Sequence, residues 1–468
     1  MNKILIGPKL RQIRLEKKQT QAQMAATLGL SASYINLLEN NQRSLSVPVL
    51  MSISTLYGVD WRDLTSDESA HRLADLRHVV QDPIFGETKP DLQELRAALD
   101  HAPALTEKFL QLYKGHRVAL EKIMRVSDKG GAADLLQSSP EAVVHDFFRT
   151  NANHFPALER AAERAAPRDA AELDDLYPAL RDRLATRHKI TVKVRPIEEM
   201  EDAFRIHDVD EGVLRLSQAL DRPNRTFQLA HMLCLVEFGD VLDGLIASSG
   251  IDAPQATARL RVELANYFAA AYLMPYGPFL RAIEDSLYDI DRVATAFSTS
   301  FEQVCQRLTT LQRDGAKGVP FFFLRIDKAG NVTKRFNATS FNLAEFGGAC
   351  PVWNIHNASY TPGVILPQFV EMPDGDRFFT FSRTVHRPVF SWDTQDRRLT
   401  LALGCELKYA QRIGYASKFN LDDATLFAPI GINCHLCPRA ACSQRAHQSL
   451  FVELPLDTNR RGSTRYES

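Results

Sequence analysis

The chain is poor in cysteine, in long apolar runs and in net charge, and each shortage excludes a class of protein. Its 468 residues include seven cysteines, an odd number that argues against a disulfide framework and favours metal or redox chemistry where thiols cluster. The longest apolar stretch, near 266–274, is too short to span a bilayer, and basic residues interrupt the first apolar run before a signal-type core could form. The sequence therefore predicts a cytoplasmic protein without a membrane span.

The remaining composition is ordinary, but the charge is unevenly distributed. A hydrophobic content of 45% and a charged content of 24% are typical of a globular protein, and the length favours about three domains. The net charge of −1 alone indicates nothing about nucleic acid. Residues 1–45, however, carry seven Lys or Arg side chains against two Glu. Such a local positive excess favours binding to phosphate.

The basic N-terminal segment has the pattern of short helices. Thr20 is placed to cap one helix that Gly29 ends, and Ser31 is placed to cap the next. In the second of these helices Ile35 and Leu38 point one way, as core residues do. Another face carries the small or polar residues Ser33, Asn36 and Asn40 together with Leu37. Two helices joined by a tight turn with these faces predict a helix-turn-helix.

Residues 7–60 resemble the phage-repressor-type (Xre) DNA-binding domain, because the segment TQAQMAATLGLSASYINLLENNQR stands where that family has its signature. The resemblance implies that Glu39 is a structural partner for a basic residue. It implies DNA-backbone contacts from Gln21, Asn40 and Arg43. It implies base readers among Ala32, Ser33, Asn36 and Leu37, with Tyr34 also in the interface. The alternative is a small helical bundle that binds protein.

The segment FQLAHMLCLVEF invites comparison with the zinc motif H-E-x-x-H. In that register Met232 takes the place of the general base and Leu235 takes the place of the second histidine. The later segment VELANYFAAAYLMP resembles the third-ligand helix of the ImmA/IrrE-type peptidases, with Glu263 at the ligand position. Loss of one ligand and the base removes metal affinity and water activation. We therefore expect no enzyme but a retained cleft that senses a ligand, with a regulatory zinc metallopeptidase as the alternative.

A C-x2-C-x4-C pattern in INCHLCPRAACSQRA places Cys434, Cys437 and Cys442 on one loop. Three thiolates there could serve a tetrahedral zinc or an iron–sulfur cluster, and the spacing favours neither. A fourth ligand must come from elsewhere, and Cys350 and Cys405 are the candidates. Three unrelated loop cysteines are the remaining alternative.

These segments together, with CPVWN, PDGDRFFTFSRTV and GCE, resemble the short-chain fatty acyl regulator family over nearly the whole chain. The resemblance implies an acyl-CoA ligand in the middle region and a 4Fe-4S cluster on the C-terminal cysteines. On matching positions the cluster ligands are Cys434, Cys437 and Cys442, with Cys350 as the chosen fourth and Cys405 as its alternative.

An acyl-CoA presents several phosphates, an adenine and an apolar tail, so its site should combine cations with aromatic rings. We predict that Arg187 and Arg215 contact phosphate and that Tyr267 lines the pocket. Solvated surface cations and a core tyrosine are the alternative interpretation.

The predicted fold is multidomain, mainly α with α+β parts. It comprises an N-terminal five-helix repressor-like domain (1–66), a helical linker or dimerisation region (67–160), a degenerate zincin-like α+β ligand domain (161–315), a β-rich cysteine-cluster domain (316–457) and a disordered tail (458–468). The predicted function is that of a transcriptional regulator, dimeric or higher in order, that binds operator double-stranded DNA and senses a short-chain acyl-CoA. A zinc-stapled DNA-binding protein without a metabolite ligand is the second alternative, beside the peptidase.

Overall fold

The computed structural model describes residues 7–17, 19–39, 43, 45–57, 68–85, 89–129, 139–166, 176–341, 349–386 and 398–452. The chain divides into two compact units, Met1–Leu135 and Leu136–Ser468. No helix in the described ranges is long and apolar enough to cross a membrane. The predicted tail at 458–468 lies outside the described residues, and the domain limits at 66, 160, 315 and 457 stay predictions.

The first unit begins with four helices around a small core. They are α1 (Gly7–Glu16), α2 (Gln21–Leu28), α3 (Ala32–Glu39) and α4 (Val47–Tyr57). The Thr20 hydroxyl caps α2 by accepting from the Gln23 backbone N–H at 3.2 Å, and Gly29 ends α2 in the left-handed conformation with φ of 67°. The core consists of Leu10, Ile13, Met24, Ala25, Ile35, Leu38, Leu45, Leu50, Ile53 and Tyr57. The predicted caps and the division of α3 into two faces are confirmed, while a fifth helix falls outside the described residues.

Three further helices complete the described part of this unit. They are α5 (Glu68–Val79), α6 (Leu92–His101) and α7 (Pro103–Lys129). Asp91 caps α6 through a reciprocal capping box with Glu94. Leu76, Val80 and Leu95 form the buried contact between these helices. The helical prediction for 67–160 is confirmed where the chain is described, but the helices after residue 139 belong to the second unit.

The second unit opens with helices that pack against one face of a three-stranded sheet. The helices are α8 (Pro140–Thr150), α9 (Pro156–Ala165), α10 (Leu176–His188), α11 (Arg222–Glu237), α12 (Gly239–Ser249), α13 (Pro254–Leu273), α14 (Tyr276–Asp285), α15 (Ile290–Ala296) and α16 (Phe301–Leu308). The strands are β1 (Thr191–Arg195), β2 (Arg205–Asp208) and β3 (Val213–Ser217). The central strand β3 is parallel to β1 and antiparallel to β2, so β2 and β3 form a hairpin.

A six-stranded sheet follows in the order β5-β4-β8-β7-β6-β9. Its strands are β4 (Phe322–Ile326), β5 (Val332–Asn337), β6 (Leu366–Glu371), β7 (Arg377–Val385), β8 (Leu399–Glu406) and β9 (Phe427–Pro429). Because side chains alternate along a strand, Leu401 and Leu403 of β8 pack against α14–α16, whereas Ala402 faces a second core with Phe322. Gly404 is required opposite Phe322, since an added Cβ would lie 2.2 Å from that ring.

The six-stranded sheet and the preceding helices share one hydrophobic core. This core runs from Ala270 and Met274 through Val304 to Leu403 and Ala416. The regions on either side of residue 315 therefore pack against each other through this core. The domain limit at 315/316 itself stays a prediction.

Candidate functional site

In the predicted DNA-binding domain, a buried ion pair joins α1 to α3. Arg14 Nε lies 2.6 Å from Glu39 Oε1, and Gln21 Nε2 donates to Glu39 Oε2 at 2.8 Å. Burial alone would raise the pKa of Glu39, but Arg14 and Gln21 hold that pKa below its usual value. The prediction that Glu39 is structural is confirmed.

The predicted base readers lie on the outer side of α3. Ala32, Ser33 and Asn36 are exposed, whereas Leu37 is half-buried. The α3 helix thus presents a small polar face that could enter a major groove. The three exposed side chains are short, which leaves the helix backbone free to approach a surface closely.

The predicted phosphate contacts flank this face. Gln21 is half-buried and its amide also reaches the Asn36 side-chain oxygen at 3.4 Å. The Arg43 guanidinium lies 5.2 Å from the ring centroid of Tyr34, which is half-buried. Asn40 lies outside the described residues. All eight DNA roles stay predictions, although the structure places seven of these residues on or beside α3.

In the second unit, the residue matching the first zinc ligand is held by an arginine. His231 is buried on α11, and its Nδ1 lies 2.7 Å from Arg205 Nη1 of β2. Burial, together with the charge of Arg205, lowers the pKa of His231 to about 3. The imidazole is therefore neutral, accepts from the guanidinium and also bonds the Val262 backbone.

The residue matching the third ligand is also engaged by cations. Glu263 lies 3.3 Å from Arg259 and 3.4 Å from Lys334 of β5, and it accepts from Asn266 at 3.2 Å. Burial alone would raise its pKa, but Lys334 and Arg259 hold it below the usual value. His231 bonds the backbone of Val262, the residue before Glu263, so the two ligand positions lie on neighbouring segments.

The other two positions of the motif are apolar. Met232 is buried in the core and Leu235 packs against it. The sequence did not predict that Arg205 would bind His231 or that Lys334 would bind Glu263. Arg205 belongs to no motif, and Lys334 lies on a strand of the next predicted domain. No sequence spacing signalled either contact.

The three residues predicted to contact acyl-CoA lie in different surroundings. Arg187 is exposed in the last turn of α10. Arg215 lies on β3 opposite Lys193 and pairs with Asp208 and Glu211 at 3.2 and 3.0 Å. Its strand neighbours Leu214 and Leu216 point into the helical core, so Arg215 occupies the other face of the sheet.

Tyr267 belongs to that helical core. Its hydroxyl donates to Glu159 Oε1 at 2.6 Å and accepts from the Phe155 backbone N–H at 3.3 Å. Burial, then the Glu159 charge, raises the pKa of Tyr267 well above its usual value. Tyr267 and Arg215 therefore lie on opposite sides of the three-stranded sheet. The ligand-contact roles of all three predicted residues stay predictions.

A buried ion pair adjoins Tyr267. Both Arg307 and Glu159 are almost completely inaccessible, and the guanidinium meets the carboxylate through two bonds of 2.6 and 3.0 Å. Arg307 also donates to the Met274 carbonyl and the Thr310 hydroxyl. Arginine is suited to such a site because its planar donors match a carboxylate and its charge is permanent.

The cysteine loop lies beside Cys350. Cys350 and Cys437 are buried, while Cys434 and Cys442 are half-buried. Burial raises the pKa of the Cys350 thiol, and the nearby Cys437 and Cys434 raise it further. A Cβ added at Gly431 would lie 2.7 Å from the Cys437 sulfur, so the glycine allows that sulfur its position.

Cys405, the alternative fourth ligand, faces the opposite side of the six-stranded sheet. It is fully buried in the core shared with α14–α16, whereas Cys350 belongs to the core on the other face. Burial raises its pKa, and its charged neighbours are Glu406 and Arg412. Of the two candidates, the structure brings Cys350 to the loop. Within the described residues no three His, Cys, Asp or Glu side chains lie close enough together to hold a metal ion, so the thiols are neighbours rather than in ligand contact.

Three sequence families match successive parts of the chain. A helix-turn-helix family matches residues 10–64, and the IrrE N-terminal-like domain of the M78 peptidase family matches 185–309. The family described as "Short-chain fatty acyl coenzyme A regulator, C-terminal" matches 310–466. A Cereibacter sphaeroides protein named "Propionyl-CoA carboxylase regulator" is 38% identical over 99% of both chains. The chain belongs to the short-chain fatty acyl coenzyme A regulator family.

Other relatives support membership of this regulator family. The Mycobacterium tuberculosis protein named "HTH-type transcriptional regulator RamB" is 33% identical, over 98% of this chain and 98% of its own. The protein of the same organism named "HTH-type transcriptional regulator PrpR" is 34% identical, over 99% of this chain and 95% of its own. A solved structure titled "Mycobacterium tuberculosis transcriptional regulator" matches with a TM-score of 0.66 and 36% identity, over 71% of this chain and 100% of that one. This family member is a DNA-binding transcriptional regulator. The predicted family and fold class are confirmed.

Proposed function

We propose that this regulator controls genes of short-chain acyl-CoA metabolism, senses a short-chain acyl-CoA, and carries a 4Fe-4S cluster on its C-terminal cysteines. It acts in the cytoplasm as a homodimer or higher oligomer bound to operator DNA, and it is not an enzyme. The observation that carries the sensor role is the disabled hydrolase site, where Arg205 holds His231 and Lys334 holds Glu263.

The geometry of that site argues against hydrolysis. A catalytic zinc requires three protein ligands and a base that activates water. Here the base position is Met232 and the second-histidine position is Leu235. The two remaining positions already bind the protein's own cations, which repel a divalent metal. The chain thus keeps the IrrE-like domain while its chemistry is gone, which suits a binding role.

Cations on the outer face of the three-stranded sheet suit the phosphates of a coenzyme A. Lys193 and Arg215 are directly opposite each other on neighbouring strands, and Arg187 is exposed near the start of β1. Arg215 now pairs with two carboxylates, so phosphate binding would exchange those pairs for stronger bidentate contacts. The relative named for propionyl-CoA carboxylase regulation supports a ligand of this class.

Ligand can alter DNA binding only through unequal affinity for two arrangements of the paired α3 helices. A typical coupling is about 1–3 kcal/mol, and reading helices of a dimer bind half-sites roughly 34 Å apart.

The donor set suits an iron–sulfur cluster, because thiolates are its protein ligands. Cys434, Cys437, Cys442 and Cys350 would hold it, and when bound it supplies a group that can change oxidation state. The Trp353 backbone N–H donates to the Cys350 carbonyl at 3.0 Å, and the Trp353 indole donates to the Thr380 hydroxyl at 3.2 Å. These bonds anchor one ligand to the sheet while the other three remain on the loop.

The sensor proposal is tested by fluorescence anisotropy of the full chain on operator DNA recovered by in vitro selection. Propionyl-, acetyl- and butyryl-CoA are compared with free CoA, and thermal unfolding is followed in parallel. A ligand at a hundred times its Kd should add about 2.7 kcal/mol of stability. Arg215→Gln should weaken the response, whereas Arg383→Gln, in an exposed pair with Asp291, should not. No acyl-CoA effect on either readout contradicts the proposal.

The cluster proposal is tested by anaerobic purification with absorption near 400 nm and iron and sulfide analysis. Cys350→Ser should lose the cluster and Cys405→Ser should retain it, since only the first lies beside the loop. Zinc without iron, or the reverse behaviour of the two variants, contradicts the assignment.

The DNA contacts are tested on a panel of operator variants. Ser33→Ala and Asn36→Ala should relax sequence preference, because both side chains are exposed on α3. Gln21→Ala should weaken binding to all sequences alike. Identical behaviour of the two classes of variant contradicts the division into base readers and phosphate contacts.

A further inference from the structure

A buried arginine lies among the backbone carbonyls of the cysteine loop. Arg445 is only 5% exposed. Its Nη1 donates to the Cys434 carbonyl at 3.1 Å and to the His447 carbonyl at 3.5 Å. Its Nη2 donates to the Cys437 carbonyl at 3.4 Å and to the Arg439 carbonyl. The side chain therefore binds the backbone at two of the three loop cysteines, and its own N–H bonds the carbonyl of the third, Cys442.

The charge of Arg445 lacks a carboxylate partner within the described residues. Its contacts there are carbonyl oxygens, and its buried Nε has no hydrogen-bond partner among them. A guanidinium does not lose its proton in a protein, and a buried charge without a counter-charge is costly. An anion is therefore expected in this place, and a loop with three cysteines provides one when the thiols become thiolates.

We propose that Arg445 is the counter-cation of the cluster that the cysteines bind, and that its charge sets the reduction potential of that cluster. This inference rests on the proposed 4Fe-4S cluster. A nearby positive charge stabilises the reduced, more negative form more than the oxidised form. Charge and burial are among the properties that tune the potentials of iron–sulfur proteins.

Arg439 provides the matched control on the same loop. It also donates to backbone carbonyls, those of Ile430 at 3.3 Å and Glu371 at 2.8 Å, but it is only half-buried. Solvent screens an exposed charge, so its influence on the potential should be smaller. Arg439→Gln therefore tests the loss of carbonyl bonds on this loop without the loss of a deeply buried charge.

The experiment is anaerobic redox titration of the full-length protein, followed by visible absorption, with iron content and circular dichroism measured on each sample. In Arg445→Gln, the ratio of oxidised to reduced cluster at the wild-type midpoint should rise about tenfold, a shift of about 59 mV to more negative potential for a one-electron couple. Arg445→Lys should keep a potential close to that of the wild type, and so should Arg439→Gln.

The outcomes separate the two proposals. Wild-type protein without iron and visible absorption overturns the cluster and this inference together. A wild-type cluster with an unchanged potential in Arg445→Gln overturns the inference alone. If Arg445→Gln folds but holds no iron, Arg445→Lys becomes the deciding variant. A cluster retained in Arg445→Lys supports a role for the charge. Loss of the cluster from both folded variants overturns the inference in favour of a purely structural role of Arg445.

Discussion

Removal of Arg307 should leave a buried, uncompensated carboxylate and destabilise the second unit strongly. The guanidinium supplies both short bonds to Glu159, and what remains for that carboxylate is the Tyr267 hydroxyl at 2.6 Å and the distant Arg313 at 3.9 Å. Breaking a buried pair by removing one partner costs about 3–5 kcal/mol. We expect Arg307→Met to lose stability in this range.

The double variant with Glu159→Leu should recover most of that loss. Apolar replacement of a whole buried pair is often neutral or stabilising. The Tyr267 hydroxyl then lacks its carboxylate acceptor, which should leave a deficit of about 1 kcal/mol. Arg313→Met is the control, because Arg313 is 35% exposed and lies farther from Glu159, so its loss should cost less than about 1 kcal/mol.

The pH dependence of stability gives a second test, because the contribution of Glu159 should change with pH in opposite directions in the wild type and in Arg307→Met. In the wild type, burial would raise the pKa of Glu159 but Arg307 holds it below its usual value, so this group's contribution to stability is lost as pH falls. In Arg307→Met, burial dominates and the pKa of Glu159 should rise. Stability should then increase as pH falls from 7 to 5, because the folded state binds the extra proton.

The assay is urea unfolding of the full chain at several pH values, with hydrogen exchange read by mass spectrometry on peptides from α9 and α16. The exchange measurement assigns the loss to the second unit rather than the first. A cost under about 1 kcal/mol for Arg307→Met, or an unchanged sign of the pH slope, would refute the reasoning.

Three other changes test separate parts of the chain. Glu39→Gln should lower the stability of the first unit by about 2 kcal/mol at pH 7, measured by thermal unfolding. The loss should shrink as pH falls, because protonation of Glu39 removes its contribution to the wild type, and an equal loss at pH 3 would contradict this. Gly431→Ala should lower the iron content without unfolding the unit, since the new methyl group meets the Cys437 sulfur; full iron content is the contrary result. Leu235→His should not bind zinc in metal analysis unless Arg205→Ala is added, because Arg205 occupies the His231 imidazole. Zinc bound by the single variant would contradict this role of Arg205.

Local features of the fold could be predicted from sequence because neighbouring residues determine them. The cap at Thr20 and the end of the same helix at Gly29 were both predicted at the observed places. The alignment of His231 with the zinc motif was also informative, since Glu263 does lie near it. A motif on a helix fixes its own register, so even its missing residues can be identified.

Contacts between distant segments could not be predicted in this way. Glu159 and Arg307 are 148 residues apart and neither belongs to a motif. The choice between Cys350 and Cys405 depends on which face of the sheet each occupies, and a strand pattern alone does not reveal which face meets the loop. The same holds for Lys334, whose partner lies in another sequence family match.

The hydrophobic core common to α14–α16 and the six-stranded sheet limits how members of this family can be recombined. A chimaera joined near residue 310, where the two sequence matches meet, would set foreign helices against Phe323, Phe379 and Leu403. A junction near residue 135 would leave every one of those apolar surfaces with its native counterpart. Exchange of the second unit between relatives should therefore give folded proteins when everything from residue 136 onward is transferred together.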